Sequence, residues 1–271
     1  MAAVLPYCQQ PNFDLGPIPI HAFGLLVFAA IAVGTELASR RARLAGIDPE
    51  SMVSYATWLV VPGFLGAHVL DSIWYHPAEV LENPSTLLAV FSGMSSFGGF
   101  VGAAGGAIAW RFFKAEPMLP RVELVLSVFP ISWTLGRAAC TVAHDHPGLR
   151  TTATNPLAFA YPDGPRWDLG FLEMLFALGL SLVCVRLWRR EQPLGTYTAL
   201  VCLSYAPLRF GLDFLRAEAA DGGDARYGGL TPAQWACFAL AAVGLLALRT
   251  ARDERGRRRR AGGEEVEAPM A

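Results

Sequence analysis

The chain has 271 residues, of which 53% are hydrophobic and only 17% are charged, and its formal net charge is −1. This composition indicates a membrane protein and excludes a disordered or fibrous chain. Because the net charge is close to zero, no global basic field favours nucleic acid as a partner.

Seven apolar segments follow one another along the chain, each near the roughly 20 residues that a helix needs to cross the hydrocarbon core. They cover about 18–37, 53–75, 97–113, 119–142, 169–188, 196–216 and 231–248. The first has no basic n-region before it and no small-residue cleavage site after it, so we interpret it as a retained helix and not as a signal peptide. The sequence therefore predicts an all-α polytopic membrane protein with about seven transmembrane helices.

Arginine and lysine are concentrated in alternate connections between these segments, while the N-terminal tail and residues 76–90 contain none. The basic clusters follow the first and fifth segments, join the third to the fourth, and lie in the C-terminal tail. By the positive-inside rule, we expect the N-terminus outside the cytoplasm and the C-terminus inside it. An odd number of spans requires the same outcome.

The sequence divides into a membrane domain, residues 1–250, and a charged cytoplasmic tail, residues 251–271. Within the membrane domain, the connection at about 143–168 is long and rich in Pro, Thr and Asp, and we expect it outside the cytoplasm, where a long loop is more often functional than idle. The tail carries a basic block followed by an acidic one. This pattern predicts a solvated, disordered end held close to anionic lipid.

Glycines recur at four-residue steps in the third apolar segment, at Gly98, Gly102 and Gly106. No strand precedes them and their spacing does not fit a nucleotide-binding loop. On a helix they form one smooth stripe. The pattern predicts a surface on which a second helix approaches closely.

Two arginines, Arg137 and Arg209, lie inside segments that otherwise read as membrane-spanning. A permanently charged side chain at bilayer depth is costly unless it faces a polar cavity or an anionic partner. The guanidinium group matches phosphate oxygens, and the most abundant phosphate in a membrane is a lipid headgroup. The two arginines therefore favour a phospholipid-handling membrane enzyme.

The segment GRAACTVAHDHPG lies at the outer end of the fourth apolar run and leaves several interpretations open. Arg137, Cys140 and His144 would share one helix face. Arg137 would recognise phosphate with acid–base help from His144, Asp145 and His146, or Cys140 and His144 would form a nucleophile pair. A metal site on His144 and His146 has no visible third ligand. The remaining interpretation is a polar helix end without chemistry.

The sixth segment contains SYAPLRFGLDFLR, in which Tyr205, Arg209 and Asp213 share one helix face and Arg216 lies one turn further on. One interpretation is an internal ion pair between Arg209 and Asp213 that serves folding alone. That pair would explain Arg209 but not Arg137. Two arginines on separate helices, close to the same side of the membrane, fit a shared ligand better.

Five motifs in order resemble those of the prolipoprotein diacylglyceryl transferase family: IPIHAFGLLVFAA, FSGMSSFGGFVG, GR…HDHPG, RWDLGFLE and LGTYTALVCLSYAPLRFGLDFLR. The resemblance runs over about residues 16–250. It implies seven spans with an outside N-terminus in the bacterial cytoplasmic (inner) membrane. It also implies transfer of a diacylglyceryl group from phosphatidylglycerol to the lipobox cysteine thiol of a prolipoprotein, with release of glycerol 1-phosphate.

The resemblance assigns functional roles to individual residues of this chain. Arg137 matches the arginine of the family's signature motif, and Arg209 matches the essential arginine of the sixth span. The resemblance also implies further substrate-binding positions at His21, Ser95, Ser96, Gly98, Gly99, Cys140, Glu173 and Tyr205.

This chain departs from the family pattern at two places. Phe97 stands where the family has a histidine thought to handle protons, and Cys140 replaces the signature asparagine, with Asp145 in place of its acidic residue. His144 or His146 is then the nearest basic candidate for deprotonating the acceptor thiol. The mechanism requires no metal or organic cofactor, and its partners are phosphatidylglycerol, the lipobox segment and membrane lipids.

Two other functions remain as alternatives. The missing histidine favours a non-catalytic lipid- or lipoprotein-binding paralogue that kept the anion pocket. A transporter is disfavoured because the two halves of the chain show neither inverted repeats nor matched broken helices.

Overall fold

A computed structural model of the protein describes residues 4–15, 18–89, 93–217 and 226–267. Most of these residues are helical. The helices are α1 (Ala22–Leu44), α2 (Pro49–Tyr75), α3 (Pro77–Glu82), α4 (Ser96–Lys114), α5 (Met118–Ala143), α6 (Leu169–Leu187), α7 (Thr196–Leu212) and α8 (Pro232–Glu267), with short 3-10 helices at Pro84–Leu88 and Asp213–Leu215. The strands are β1 (Asn12–Leu15), β2 (Ile18–His21), β3 (Pro147–Arg150), β4 (Ala158–Tyr161) and β5 (Gly164–Asp168).

Among the described residues, six helices are long and apolar enough to cross a membrane: α1, α2, α5, α6, α7 and α8. Large apolar side chains such as Phe28 and Leu246 are exposed on their outer surfaces, as expected for residues that face lipid. The predicted all-α polytopic membrane protein is therefore confirmed. The helix α4 is not among the six, because its glycines and its terminal Arg111 and Lys114 lower its mean hydropathy. The count of seven spans stays a prediction.

The glycine stripe of α4 packs against α2, as the sequence predicts. A Cβ atom added at Gly98, Gly102 or Gly106 would meet a backbone carbonyl oxygen of α2 at 2.4, 2.1 or 1.8 Å, respectively. These distances are too short for any side chain, so the two helix backbones can touch only because each glycine presents a hydrogen atom to a carbonyl oxygen of α2.

A buried carboxylate from α5 caps the start of α7, the helix that carries Arg209. Glu123 accepts hydrogen bonds from the backbone amides of Tyr197 at 2.8 Å and Thr198 at 3.0 Å, which are two of the amides that a helix start leaves unpaired. Further along, the Trp133 ring of α5 packs edge-on against Tyr205 of α7, with ring centroids 4.4 Å apart. These contacts hold α7 against α5 at two points along its length.

The connection between α5 and α6 is a three-stranded antiparallel sheet in the order β3-β5-β4, where the sequence suggested only a long loop. Leu5 adds the N-terminal segment to this sheet through backbone hydrogen bonds to Ala158 and Ala160. In the β4–β5 turn, hydrogen bonds from Arg166 lower the pKa of the Asp163 carboxyl to about 2. The strands are too short, and too rich in Pro and Gly, to produce a clear alternation in the sequence.

The C-terminal charged segment continues α8 as a helix to Glu267, so the predicted disordered tail is wrong for residues 250–267. This segment consists largely of Ala, Arg and Glu, which are good helix formers. Glu254 accepts a hydrogen bond from the Leu194 amide at 2.8 Å and pairs with Arg258 at 2.6 Å. The helix is thereby fastened to the connection between α6 and α7. Residues 268–271 lie outside the described part of the chain.

Candidate active site

Arg137 and Arg209 converge on one carboxylate, that of Glu173 on α6. The Arg137 Nη2 atom lies 2.7 Å from Glu173 Oε2, and the Arg209 Nη1 atom lies 2.5 Å from Oε1. Glu173 has no exposed surface, and the two arginine side chains are 6% and 8% exposed. Arg137 on α5 and Arg209 on α7 thus meet at a single buried carboxylate on α6.

Local capping sets the position of Glu173. Asp168 precedes α6 and accepts a hydrogen bond from the Phe171 amide at 2.9 Å, so the helix begins at Leu169 and places Glu173 just beyond its first turn. The Tyr205 hydroxyl donates to Glu173 Oε2 at 3.3 Å. The carboxylate therefore receives donors from both sides and has a fixed orientation.

A second carboxylate, Asp213, extends the charged cluster. It lies 3.1 Å from Arg209 Nη2 and 3.3 Å from Arg216 Nε, and it accepts a short hydrogen bond from the Thr231 hydroxyl. The internal Arg209–Asp213 pair considered from the sequence is thus present. It exists together with the convergence of Arg137 and Arg209, so the two interpretations describe parts of one network.

The described contacts of this network join three guanidinium groups to two carboxylates. The arginines are Arg137, Arg209 and Arg216, and the acids are Glu173 and Asp213. Arginines placed this deep in an apolar bundle are costly unless they meet an anionic partner, which makes Arg137 and Arg209 candidates for binding a negatively charged ligand as well as Glu173. A phosphodiester carries one negative charge and matches the fork geometry of guanidinium.

A second polar cluster lies at the end of α5, next to Arg137. One potential ligand atom from each of Cys140, Asp145 and His146 lies within 4.8 Å of the others. The Cys140 sulfur is 3.9 Å from Arg137 Nη1. His144 is in the left-handed region with a φ of 51°, and this sharp turn brings the two residues after it back over the helix end. The two clusters are therefore neighbours.

The two histidines of the HDHPG motif lie in different environments. The His144 Nδ1 atom is 2.8 Å from Asp168 Oδ2, and its ring stacks on Tyr7 with centroids 4.3 Å apart. Tyr161 donates to the same Asp168 oxygen at 2.9 Å. His144 thereby joins the N-terminal segment, the sheet and α6. It leaves the helix face of Arg137 and Cys140 because the left-handed turn ends the helix there, so the predicted shared face of the three residues is wrong.

The glycine-rich motif has a packing role in the described structure. Ser95 caps α4 by accepting a hydrogen bond from the Gly98 amide at 3.0 Å, and Phe97 stacks on Trp74 with centroids 5.2 Å apart. Gly99, like Gly98, faces α2. Ser96 begins α4, and its side chain lies outside the described atoms.

His21, at the start of α1, is exposed and lies 2.8 Å from the Asn12 side-chain oxygen. None of the hydrogen bonds or ion pairs described for His21, Ser95 or the motif glycines reaches Arg137 or Arg209. The structure therefore joins Tyr205, Glu173 and Cys140 to the arginines, and it does not join these other candidates to them by a described contact.

Sequence reasoning from the residues alone missed the central role of Glu173. The sequence could have indicated this role, because a single carboxylate inside an apolar segment is as costly as an arginine there and likewise marks a functional site. The contributions of Asp168 and Thr231 had no such signal, since both lie in connections where polar residues are ordinary.

The chain is similar to known proteins of one family. The family model for prolipoprotein diacylglyceryl transferase matches residues 10–250. The chain is similar to proteins named phosphatidylglycerol–prolipoprotein diacylglyceryl transferase from several bacteria. The Acinetobacter baumannii (strain ATCC 17978) protein is 27% identical over 248 residues, covering 87% of this chain and 91% of the relative. The Pseudomonas paraeruginosa protein is 28% identical over 253 residues (89% and 92%), and the Nitratidesulfovibrio vulgaris protein is 26% identical over 248 residues (89% and 92%).

Proposed function

The chain belongs to the prolipoprotein diacylglyceryl transferase family, and from that premise we propose that it transfers a diacylglyceryl group from phosphatidylglycerol to a prolipoprotein. The acceptor is the thiol of the lipobox cysteine, and the second product is glycerol 1-phosphate. The observation that carries this proposal is the convergence of Arg137 and Arg209, from separate helices, on the buried carboxylate of Glu173.

The arginine pair would act on the phosphodiester of the lipid. A guanidinium has five N–H donors, so pairing with Glu173 leaves donors on both Arg137 and Arg209 for phosphate oxygens. As the bond between the diacylglyceryl carbon and oxygen breaks, negative charge grows on the leaving phosphate. Fixed donors in a water-poor site stabilise that charge more than they stabilise the intact lipid, which lowers the barrier.

The acceptor thiol must lose its proton, because the thiolate is the nucleophile. The cluster of Cys140, Asp145 and His146 lies beside Arg137, which makes it the best-supported place for this step. His146, with Asp145 next to it, is better positioned than His144, whose ring is stacked on Tyr7 and bound to Asp168.

We propose that the protein lies in the bacterial cytoplasmic membrane with its N-terminus outside. The arginine-rich connections support this orientation. The active-site ends of α5, α6 and α7 would then face the outer leaflet, where the lipid enters sideways between helices and the sheet of β3, β4 and β5 meets the lipobox segment.

A direct test is the reaction of purified full-length protein with phosphatidylglycerol vesicles and a synthetic lipobox peptide. We expect a thioether-linked diacylglyceryl peptide by mass spectrometry and one released glycerol 1-phosphate per product. A matched peptide with serine in place of the lipobox cysteine should give neither product.

The second candidate is the non-catalytic binding paralogue, which is favoured by Phe97 in the histidine position. Phe97 stacks on Trp74 and brings no proton-carrying group to the site. This function predicts that the protein binds phosphatidylglycerol and releases no glycerol 1-phosphate with any lipobox peptide.

A further inference from the structure

The cluster at the end of α5 presents three different metal-binding donor types: a thiol on Cys140, a carboxylate on Asp145 and an imidazole on His146. Their ligand atoms lie within 4.8 Å of one another. In a tetrahedral zinc site the ion lies about 2.0–2.3 Å from such donors, which separates the donors by roughly 3.5 Å. Small side-chain rotations at the helix end therefore suffice to bring all three donors onto one ion.

A second observation concerns the contact between Asp145 and His146. The His146 Nδ1 atom lies 2.7 Å from Asp145 Oδ1, and the two groups form an ion pair when the imidazole is protonated. The carboxylate and the imidazole are therefore already held side by side next to Cys140.

The backbone that carries the donors is fixed. The His146 carbonyl accepts a hydrogen bond from the Leu169 amide at 3.1 Å, and Pro147 pairs with Asp168 in the sheet. The donors therefore lie on a turn anchored to α5, α6 and the sheet. A site built on such elements holds its ligand geometry more firmly than one on a free loop.

From these contacts we infer that Cys140, Asp145 and His146 bind one divalent ion of the zinc type, and that the ion's open fourth position takes the acceptor thiol. The inference rests on the proposed function for its chemistry. Sulfur and imidazole donors favour zinc-type ions over magnesium, and three protein ligands with an open position are the pattern of catalytic zinc. The thiolate and the carboxylate together neutralise the ion, so Arg137 can remain paired with Glu173 beside it.

The bound ion promotes the deprotonation of the acceptor thiol, for which Phe97 has no basic group. A thiol that coordinates zinc is deprotonated, and its proton passes to water. The resulting thiolate attacks the diacylglyceryl carbon, a sulfur–carbon bond forms, and the carbon–oxygen bond to phosphate breaks. Glycerol 1-phosphate leaves with the electron pair, and the thioether product, which is neutral, is released from the ion. No electron donor or acceptor is needed.

Metal binding is measured on purified full-length protein that has been stripped with a chelator and then titrated with Zn²⁺ or Co²⁺. We expect one ion per chain, with a thiolate charge-transfer absorption in the cobalt form. Cys140→Ser and His146→Gln should lose the ion and the absorption. Cys184→Ser is the matched control, because Cys184 is a free cysteine on a membrane helix, like Cys140, but lies outside the cluster, and it should keep both. No stoichiometric ion in the wild type, or equal binding in Cys140→Ser, overturns the inference.

The activity measurement separates this inference from the proposed function. We expect stripped protein to bind phosphatidylglycerol normally and to lose at least 100-fold in lipidation rate, with recovery on adding Zn²⁺. If stripped, metal-free protein lipidates the peptide at the full rate, the metal inference is wrong and the transferase function stands. If the ion binds stoichiometrically and no lipidation occurs under any condition, the metal site stands and the transferase function is wrong.

Discussion

Among single residues, Glu173 is the one that holds both active-site arginines in place. It is fully buried and pairs with Arg137 and Arg209 at 2.7 and 2.5 Å. Removing one partner from a buried ion network leaves uncompensated charge, and the cost is commonly about 3–5 kcal/mol. Glu173 therefore has a structural role in holding the arginines, separate from any contact with substrate.

We expect Glu173→Gln to lower the thermal unfolding temperature of the detergent-purified protein strongly. The matched control is Glu36→Gln, because Glu36 pairs with Arg40 on an exposed helix surface and such pairs contribute roughly 0–1 kcal/mol. Equal unfolding temperatures for the two variants would show that the buried network does not depend on its carboxylate.

The two histidines of the HDHPG motif should respond differently to substitution. We expect His146→Gln to reduce the lipidation rate about 100-fold or more near neutral pH, because it removes the imidazole of the cluster next to Arg137, while phosphatidylglycerol binding stays nearly unchanged. His144→Gln should instead reduce stability by roughly 1–3 kcal/mol, since it removes one of the three described partners of buried Asp168. Rates and unfolding temperatures of both variants check this. The reverse pattern would make His144 the catalytic group.

At the scale of helices, the contact between α2 and α4 depends on the absence of side chains. We expect Gly102→Ala to destabilise the protein by roughly 1–3 kcal/mol, because the new Cβ atom would lie 2.1 Å from a backbone oxygen of α2. Gly105 on the same helix has no atom within 4 Å of such a Cβ, so Gly105→Ala should be neutral or slightly stabilising. Thermal unfolding compares the two, and equal effects would contradict the close packing.

The sequence allowed the membrane helices to be predicted because each one is a long apolar run, which is a local property. It also identified Arg137 and Arg209, since isolated charges in such runs are conspicuous. The bridge through Glu173 could not be predicted in the same way, because it depends on how three helices pack. The sheet of β3, β4 and β5 was missed for a similar reason: its short strands are stabilised by pairing with each other and with Leu5, not by local pattern.

At the scale of the whole molecule, the orientation in the membrane follows from the arginine-rich connections. We expect a reporter enzyme that is active only outside the cytoplasm to give signal when fused after residue 160. The same reporter fused after residue 45 should be silent. The opposite pattern would reverse the topology and move the arginine network to the cytoplasmic side.

If Arg137 and Arg209 together act on the lipid phosphate, the lipidation rates of Arg137→Lys and Arg209→Lys report this role with the least interference from folding. Lysine keeps the positive charge for folding and loses the two-pronged hydrogen bond to phosphate. Arg150→Lys is the control, because Arg150 is an exposed arginine on β3 paired with Asp163. We predict that each active-site variant inserts into the membrane and loses at least about 100-fold in rate, while the control is unchanged. Wild-type rates in both variants would contradict the account.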